Sequence, residues 1–290
     1  MTIRDLGYRP YDGPRLPPSN NTWVMLRQGM RRAWASWLVK LAVFLSFGPP
    51  LIGIALVIAG RMLLQQGDPE ADPIQASAAM RNLFSVQTWL FVSMITVGAG
   101  APAIAEDLTF RGFQFYFAKP VTPAQYLAGR VLAVAICVFL VTFVPAFFLD
   151  LALVGTAPRA LIAEQAGLLL PAFFYSLVLA TVMGTTSVAV SSLSKSRALT
   201  MSAWIVAFIV PHVLASVVNE ISVATGNEEG WPWLFLGSFT GLLGNVADAL
   251  FKVERDAALE WYYAAPILVA LTVGSTWLAM YRLQRAEVIT

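Results

Sequence analysis

Between Arg130 and Arg159 the chain carries one charged side chain, Asp150, and between Glu164 and Lys195 it carries none. A soluble domain places a charged residue at roughly every fourth position. Uncharged runs of this length can cross a hydrocarbon core of about 30 Å as helices. The whole chain follows suit: 58% of its 290 residues are hydrophobic and 12% are charged, and the mean hydropathy is +0.67. This places it among polytopic membrane proteins. The net charge of +2 says less than the sidedness of the charges. Cys137 is the lone cysteine, which excludes a disulfide framework or a cysteine metal site within the chain.

Residues 1–20 are rich in Arg, Pro and Asp and read as an extended arm. From residue 21 to 37 a helical period sets in. Trp23, Leu26, Met30, Trp34 and Trp37 recur every three or four positions, with Arg27, Arg31 and Arg32 largely between them. The pattern predicts an amphipathic elbow helix at the membrane interface, tryptophans toward acyl chains and arginines toward anionic headgroups. The alternative is an ordinary juxtamembrane stop signal. The polar stretch before the first apolar span is too long for the n-region of a cleaved signal, so that span reads as retained.

The chain is expected to be an all-α membrane protein in two parts. Residues 1–37 form the arm and elbow, and 38–290 form one transmembrane domain of six helices at about 38–60, 83–105, 123–154, 161–193, 198–218 and 261–281. Pro49-Pro50 should kink the first span and free carbonyls that a neighbouring helix must cover. Residues 61–82 read as a polar loop. GAGAPAIA, at the end of the second span, is small and proline-broken and permits close contact or a hinge. Thr122, Pro123 and Gln125 read as a capping box that starts a long third helix. Ala180, Thr181, Gly184 and Thr185 form a small-residue face, for helix packing or a polar lining. His212 has no carboxylate or cysteine neighbours in sequence and is expected to be packed or interfacial.

The stretch 231–251 is apolar but carries three glycines, Asn245 and Asp248. Charge decides whether it crosses. With six spans, fourteen of the 19 Lys and Arg residues fall on one side, both chain ends with them, and Arg61, Arg81, Arg159, Lys252 and Arg255 on the other. A seventh crossing spoils that asymmetry. The stretch therefore reads as an outer re-entrant or interfacial hairpin, with Trp231 and Trp233 near the headgroups.

The segment Glu106–Arg130 joins the second and third spans. It carries charges, six aromatics and two prolines. Leu108, Phe110, Phe113 and Phe117 fall roughly on one face of a short helix, with Arg111 elsewhere, and could insert into a groove on a partner. Glu106 and Asp107 sit at its N-terminus, where the helix dipole favours negative charge. Gly112 weakens the helix and suggests a bend or close approach. Alternatively, Phe110 to Phe117 lies in the lipid interface.

Several chemistries have no motif here. There is no P-loop, no H-E-x-x-H and no G-x-S-x-G. Glu228-Glu229 reads as a solvated loop. Lys40, Asp150 and Glu164 lie near span ends and can snorkel, so no buried carboxylate relay for an ion-coupled carrier is visible.

The arrangement resembles the membrane subunits of ABC transporters of the ABC-2 type, also called type V exporters. The likeness runs over essentially the whole chain. Its most specific part is Ala105-Glu106-Asp107, Gly112, Lys119-Pro120-Val121-Thr122, Tyr126 and Gly129-Arg130; Leu108-Thr109-Phe110 departs from it, being less charged than in many relatives. The resemblance implies a non-catalytic permease that exports or extrudes a substrate, as a homodimer with two copies of a separately encoded P-loop ATPase. ATP and Mg²⁺ would bind the partner, leaving this chain without a cofactor or metal. It implies a bacterial inner-membrane location with both termini cytoplasmic, contact with lipids, room for an accessory protein outside, and no nucleic-acid partner. The coupling segment would comprise Glu106, Asp107, Leu108, Phe110, Arg111, Gly112, Phe113 and Phe117. Two other readings stand beside it: a non-transporting anchor or assembly platform for an envelope complex, and a secondary carrier.

Overall fold

The computed structural model describes residues 21–64, 74–110, 112, 121–227, 230–253 and 259–288. Among these the chain is helical and contains no strand. Six helices are long and apolar enough to cross a membrane, as expected of a multi-pass membrane protein.

Ahead of the spans, α1 (Asn21–Ala35) is amphipathic. The first span consists of α2 (Trp37–Leu45) and α3 (Gly48–Leu64). The break between them falls just ahead of Pro49-Pro50, which occupy the first turn of α3, where a missing N–H costs nothing. The Ser46 carbonyl at the break accepts a 2.8 Å hydrogen bond from Gln87 Nε2 of the second span. A neighbouring helix thus covers the freed carbonyl.

The second span starts at Ala76 rather than Leu83. It runs through α4 (Ala76–Val86), a π-helical segment Gln87–Val92, the short α5 (Ser93–Ile95) and a second π-helical segment Thr96–Gly100. After a turn comes α6 (Ala105–Thr109). This span is the most buried of the six. Thr96 Oγ1 accepts a 2.8 Å bond from Trp204 Nε1 of the fifth span. The early start has a clear cause. Arg81, read from sequence as a loop charge, is buried in a 2.6 Å ion pair with Asp248. Arg61, likewise assigned to that loop, is helical and buried. It donates to the Leu153 carbonyl at 2.6 Å, to Thr156 Oγ1 at 2.5 Å and to Gln165 Oε1 at 3.0 Å. Of the loop itself, residues 65–73 lie outside the described residues.

The third span is one helix, α7 (Pro123–Gly155), started by the capping box that Thr122 and Gln125 predict. Gln125 N donates to Thr122 Oγ1 at 3.2 Å, and Thr122 N donates to Gln125 Oε1 at 3.1 Å. The fourth span begins with a 3₁₀ turn and α8 (Ile162–Ala166), breaks ahead of Pro171, and continues as α9 (Leu169–Ser191). The small-residue face on α9 serves packing. A Cβ on Gly184 would lie 3.4 Å from Ala135 Cβ and from the Val131 carbonyl on α7. The Thr181 and Thr185 hydroxyls bond backward to carbonyls of their own helix.

The fifth span, α10 (Arg197–Ala224), outlasts its expected end at Val218. The stretch 231–251 holds no helix long enough to count among the six. A 3₁₀ turn (Pro232–Gly237) leads to α11 (Phe239–Leu250), whose first turn is capped by Ser238. At 12 residues α11 is about 18 Å long, too short for a span. It packs alongside α10: Thr240 Oγ1 lies 2.7 Å from His212 Nδ1, well back from the end of that helix. His212 packs against Trp89 and Phe235. The histidine is packed, in keeping with its solitary place in the sequence. Phe84 joins α4 to Tyr175 of α9 and to Phe251. The sixth span, α12 (Trp261–Val288), closes the chain.

Candidate functional site

The far end of the second span is where the sequence-predicted coupling residues and the α1 residues converge. The π-helical segment Thr96–Gly100 is threaded through a tight gap. A Cβ on Gly98 would come within 2.9 Å of Ser36 Oγ and 3.1 Å of Leu38, and one on Gly100 would strike the Ser187 side chain of α9. Small residues are needed here for closeness. Pro102 falls in the turn Ala101–Ile104, which leaves the first N–H groups of α6 without helical partners. Ser191 Oγ supplies the acceptor, taking Ile104 N at 2.8 Å and Ala105 N at 3.0 Å.

Asp107 is the centre of the site and is 3% exposed. Its Oδ1 accepts from Arg32 Nη1 of α1 at 2.7 Å. Its Oδ2 accepts from Arg130 Nη2 at 2.6 Å and from the Tyr126 hydroxyl at 2.5 Å, both on α7. Arg130 is 2% exposed, and its guanidinium also lies 5.2 Å from the Tyr126 ring centroid. Burying a carboxyl group is costly unless its oxygens are paired and hydrogen-bonded. Here two guanidiniums and a phenol provide for it.

Glu106, one residue earlier, is a contrast. It meets Arg197 at the start of α10 at 2.9 Å, in a pair whose side chains are 30% and 53% exposed. Thr109 Oγ1 donates to the Lys195 carbonyl in the turn between the fourth and fifth spans. That same turn offers its Ser192 and Leu193 carbonyls to Arg282 of α12. Five elements therefore meet around one short helix.

α6 ends at Thr109 and the backbone closes with Gly112 N on the Asp107 carbonyl at 2.8 Å. Leu108 packs half-buried against the core, whereas Phe110 is 78% exposed. These two do not share one environment: residues two apart lie on opposite sides of a helix, and α6 stops between them. Arg111, Phe113 and Phe117 lie outside the described residues, as does the arm 1–20.

Of the elbow residues singled out in the sequence, Trp23 and Trp34 of α1 and Trp37, the first residue of α2, are exposed, as are Arg27 and Arg31. Arg32 turns inward to Asp107 instead. Leu26, grouped by sequence with the lipid-facing tryptophans, is buried. The cause is close packing of α1 on α7. A Cβ on Gly29 would lie 2.7 Å from Ala133 Cβ, and one on Gly129 would collide with Met25. Sequence reasoning did not foresee the Asp107 pairings. Tyr126 and Arg130 are four residues apart on one helical face, polar at the start of a largely apolar helix, and that was the available signal.

Among the described residues no group of three His, Cys, Asp or Glu could hold a metal. No known family model matches the chain, and no curated protein matches it.

Proposed function

We propose that this chain is the permease subunit of an ATP-driven exporter of the ABC-2 type, acting as a homodimer with two copies of a separate P-loop ATPase. The observation that carries the reading is the anchorage of α6. A partner that grips the segment beginning at the exposed Phe110 would hold a lever fixed through Asp107 to α1 and α7, with Glu106 in looser contact with α10. Such a grip would move α1 and α7 together. ATP binding and hydrolysis on the partner would then tilt the second and third spans and open a path between protomers. The greater number of basic residues on the Asp107 side supports a cytoplasmic position for it. This chain carries no nucleotide motif, so hydrolysis belongs to the partner.

Phe110 is the residue to alter, since Asp107 holds the fold. Purification from the native host should bring down a P-loop ATPase. Phe110→Asp should lose that ATPase while inserting normally. A wild-type chain purified from the native host without any P-loop ATPase would overturn the proposal.

A further inference from the structure

A cavity of about 190 Å³ opens beside the Asp107 cluster, between α1, the end of the second span, α7 and the start of α10. Its charged lining is Arg32, Arg130, Arg197 and Glu106; mostly small residues, among them Ala99 and Ala103, form the rest of its walls. Counting Asp107 beneath it, three guanidiniums face two carboxylates, a net charge of +1 from the described groups. Ser36, at the break between α1 and α2, also lines the cavity, and among the described residues no side chain caps the first turn of α2. The positive end of a nine-residue helix thus adds to the guanidiniums, an arrangement suited to an anion.

The surroundings indicate what kind of anion. Trp34 and Trp37 flank the break and Leu199 follows Arg197, all three exposed. Aromatic and aliphatic side chains beside arginines mark the level where acyl chains meet headgroups. We propose that this cavity binds the phosphate of an anionic phospholipid of the adjoining leaflet, its acyl chains lying against Trp34, Trp37 and Leu199. Arg197 is the adjustable member. Its pair with Glu106 is solvent-exposed and weakly held, so the guanidinium can rotate to a phosphodiester. Arg32 and Arg130 form the fixed wall, held by Asp107. Basic pockets between membrane helices are a recurring way of holding such headgroups. This inference does not depend on the transporter reading.

The test uses the full-length chain purified in detergent, with dioleoyl phosphatidylglycerol as probe and dioleoyl phosphatidylcholine as control. Bound lipid is counted by native mass spectrometry, and the thermal midpoint is followed on lipid addition. The wild type should retain phosphatidylglycerol and gain stability from it, but not from phosphatidylcholine. Arg197→Gln should weaken retention about fivefold, the scale of one basic residue at an anionic surface. Ala103→Phe, which fills the cavity and removes no charge, should weaken it at least as much. Should Arg197→Gln fail to fold, Ala103→Phe decides. Retention equal to wild type in folded Ala103→Phe would overturn the proposal. So would millimolar inorganic phosphate stabilising the chain as well as the lipid does, since the site would then take a soluble anion.

Discussion

Arg32 and Asp107 stand 75 positions apart in the chain and meet at 2.7 Å, guanidinium to carboxylate. The pair fastens a helix that precedes the first span to a helix that ends the second. On its other oxygen the same carboxylate holds Arg130 and Tyr126 of the third span. Adjacent in sequence, Glu106 and Asp107 have different physical roles, one at the surface and one within.

That difference predicts opposite responses to similar substitutions. Asp107→Asn leaves Arg130 buried without its countercharge and should cost about 3–5 kcal/mol. Glu106→Gln breaks an exposed pair and should cost about 0–1 kcal/mol. Denaturation of the two variants in detergent, followed by intrinsic tryptophan fluorescence, gives the comparison. Equal losses would mean that Asp107 is not the anchor described.

The seating of α1 on α7 depends on Gly129. Its missing Cβ is replaced by the Met25 side chain and by backbone, with Leu26 N 2.9 Å from where the Cβ would lie. Gly129→Val should therefore push α1 away, at a cost of about 1–3 kcal/mol, and trypsin should cut faster at Arg27 and Arg31. Gly274, with nothing among the described residues within 4 Å of where a Cβ would lie, is the control. Gly274→Ala should be neutral, or stabilising by up to about 1 kcal/mol.

Gln87 covers the carbonyl freed at the break in the first span. Gln87→Leu should leave the buried Ser46 oxygen without that donor and lower stability by about 1–3 kcal/mol. A chain as stable as wild type would show that solvent or lipid headgroups reach the break.

The six-span count makes a topological prediction. In a Cys137→Ala background, single cysteines placed at Trp233 and at Gln284 should react with a membrane-impermeant maleimide from opposite faces of the membrane. Both positions are exposed. Labelling of both from one face would require a seventh crossing or one fewer.

How much of this was legible follows from the reach of each interaction. The six spans could be read because apolar length is a local property, and Thr122 with Gln125 could be read because a capping box spans four residues. Arg61 and Arg81 were misplaced in a loop because their partners, Leu153 and Gln165 for one and Asp248 for the other, lie far along the chain. Glu106 and Asp107 were recognised as important, but nothing local separates a docking carboxylate from a buried one. Only Arg32 and Arg130, brought in by the fold, make that distinction. Leu26 was likewise on the expected helix, yet the glycine contacts of α1 with α7 decide which way it faces.

The two π-helical segments of the second span have a mechanical consequence. An α-helix ties rotation to height, about 100° and 1.5 Å for each residue. A π segment holds surplus chain within the same column, its hydrogen bonds running one residue further back. Absorbing or releasing one residue there turns the Asp107 end about 100° against the Gln87 end and shifts it by about 1.5 Å. A shift of that kind would trade twist for travel while the span stays helical, as a screw with slack in its thread would.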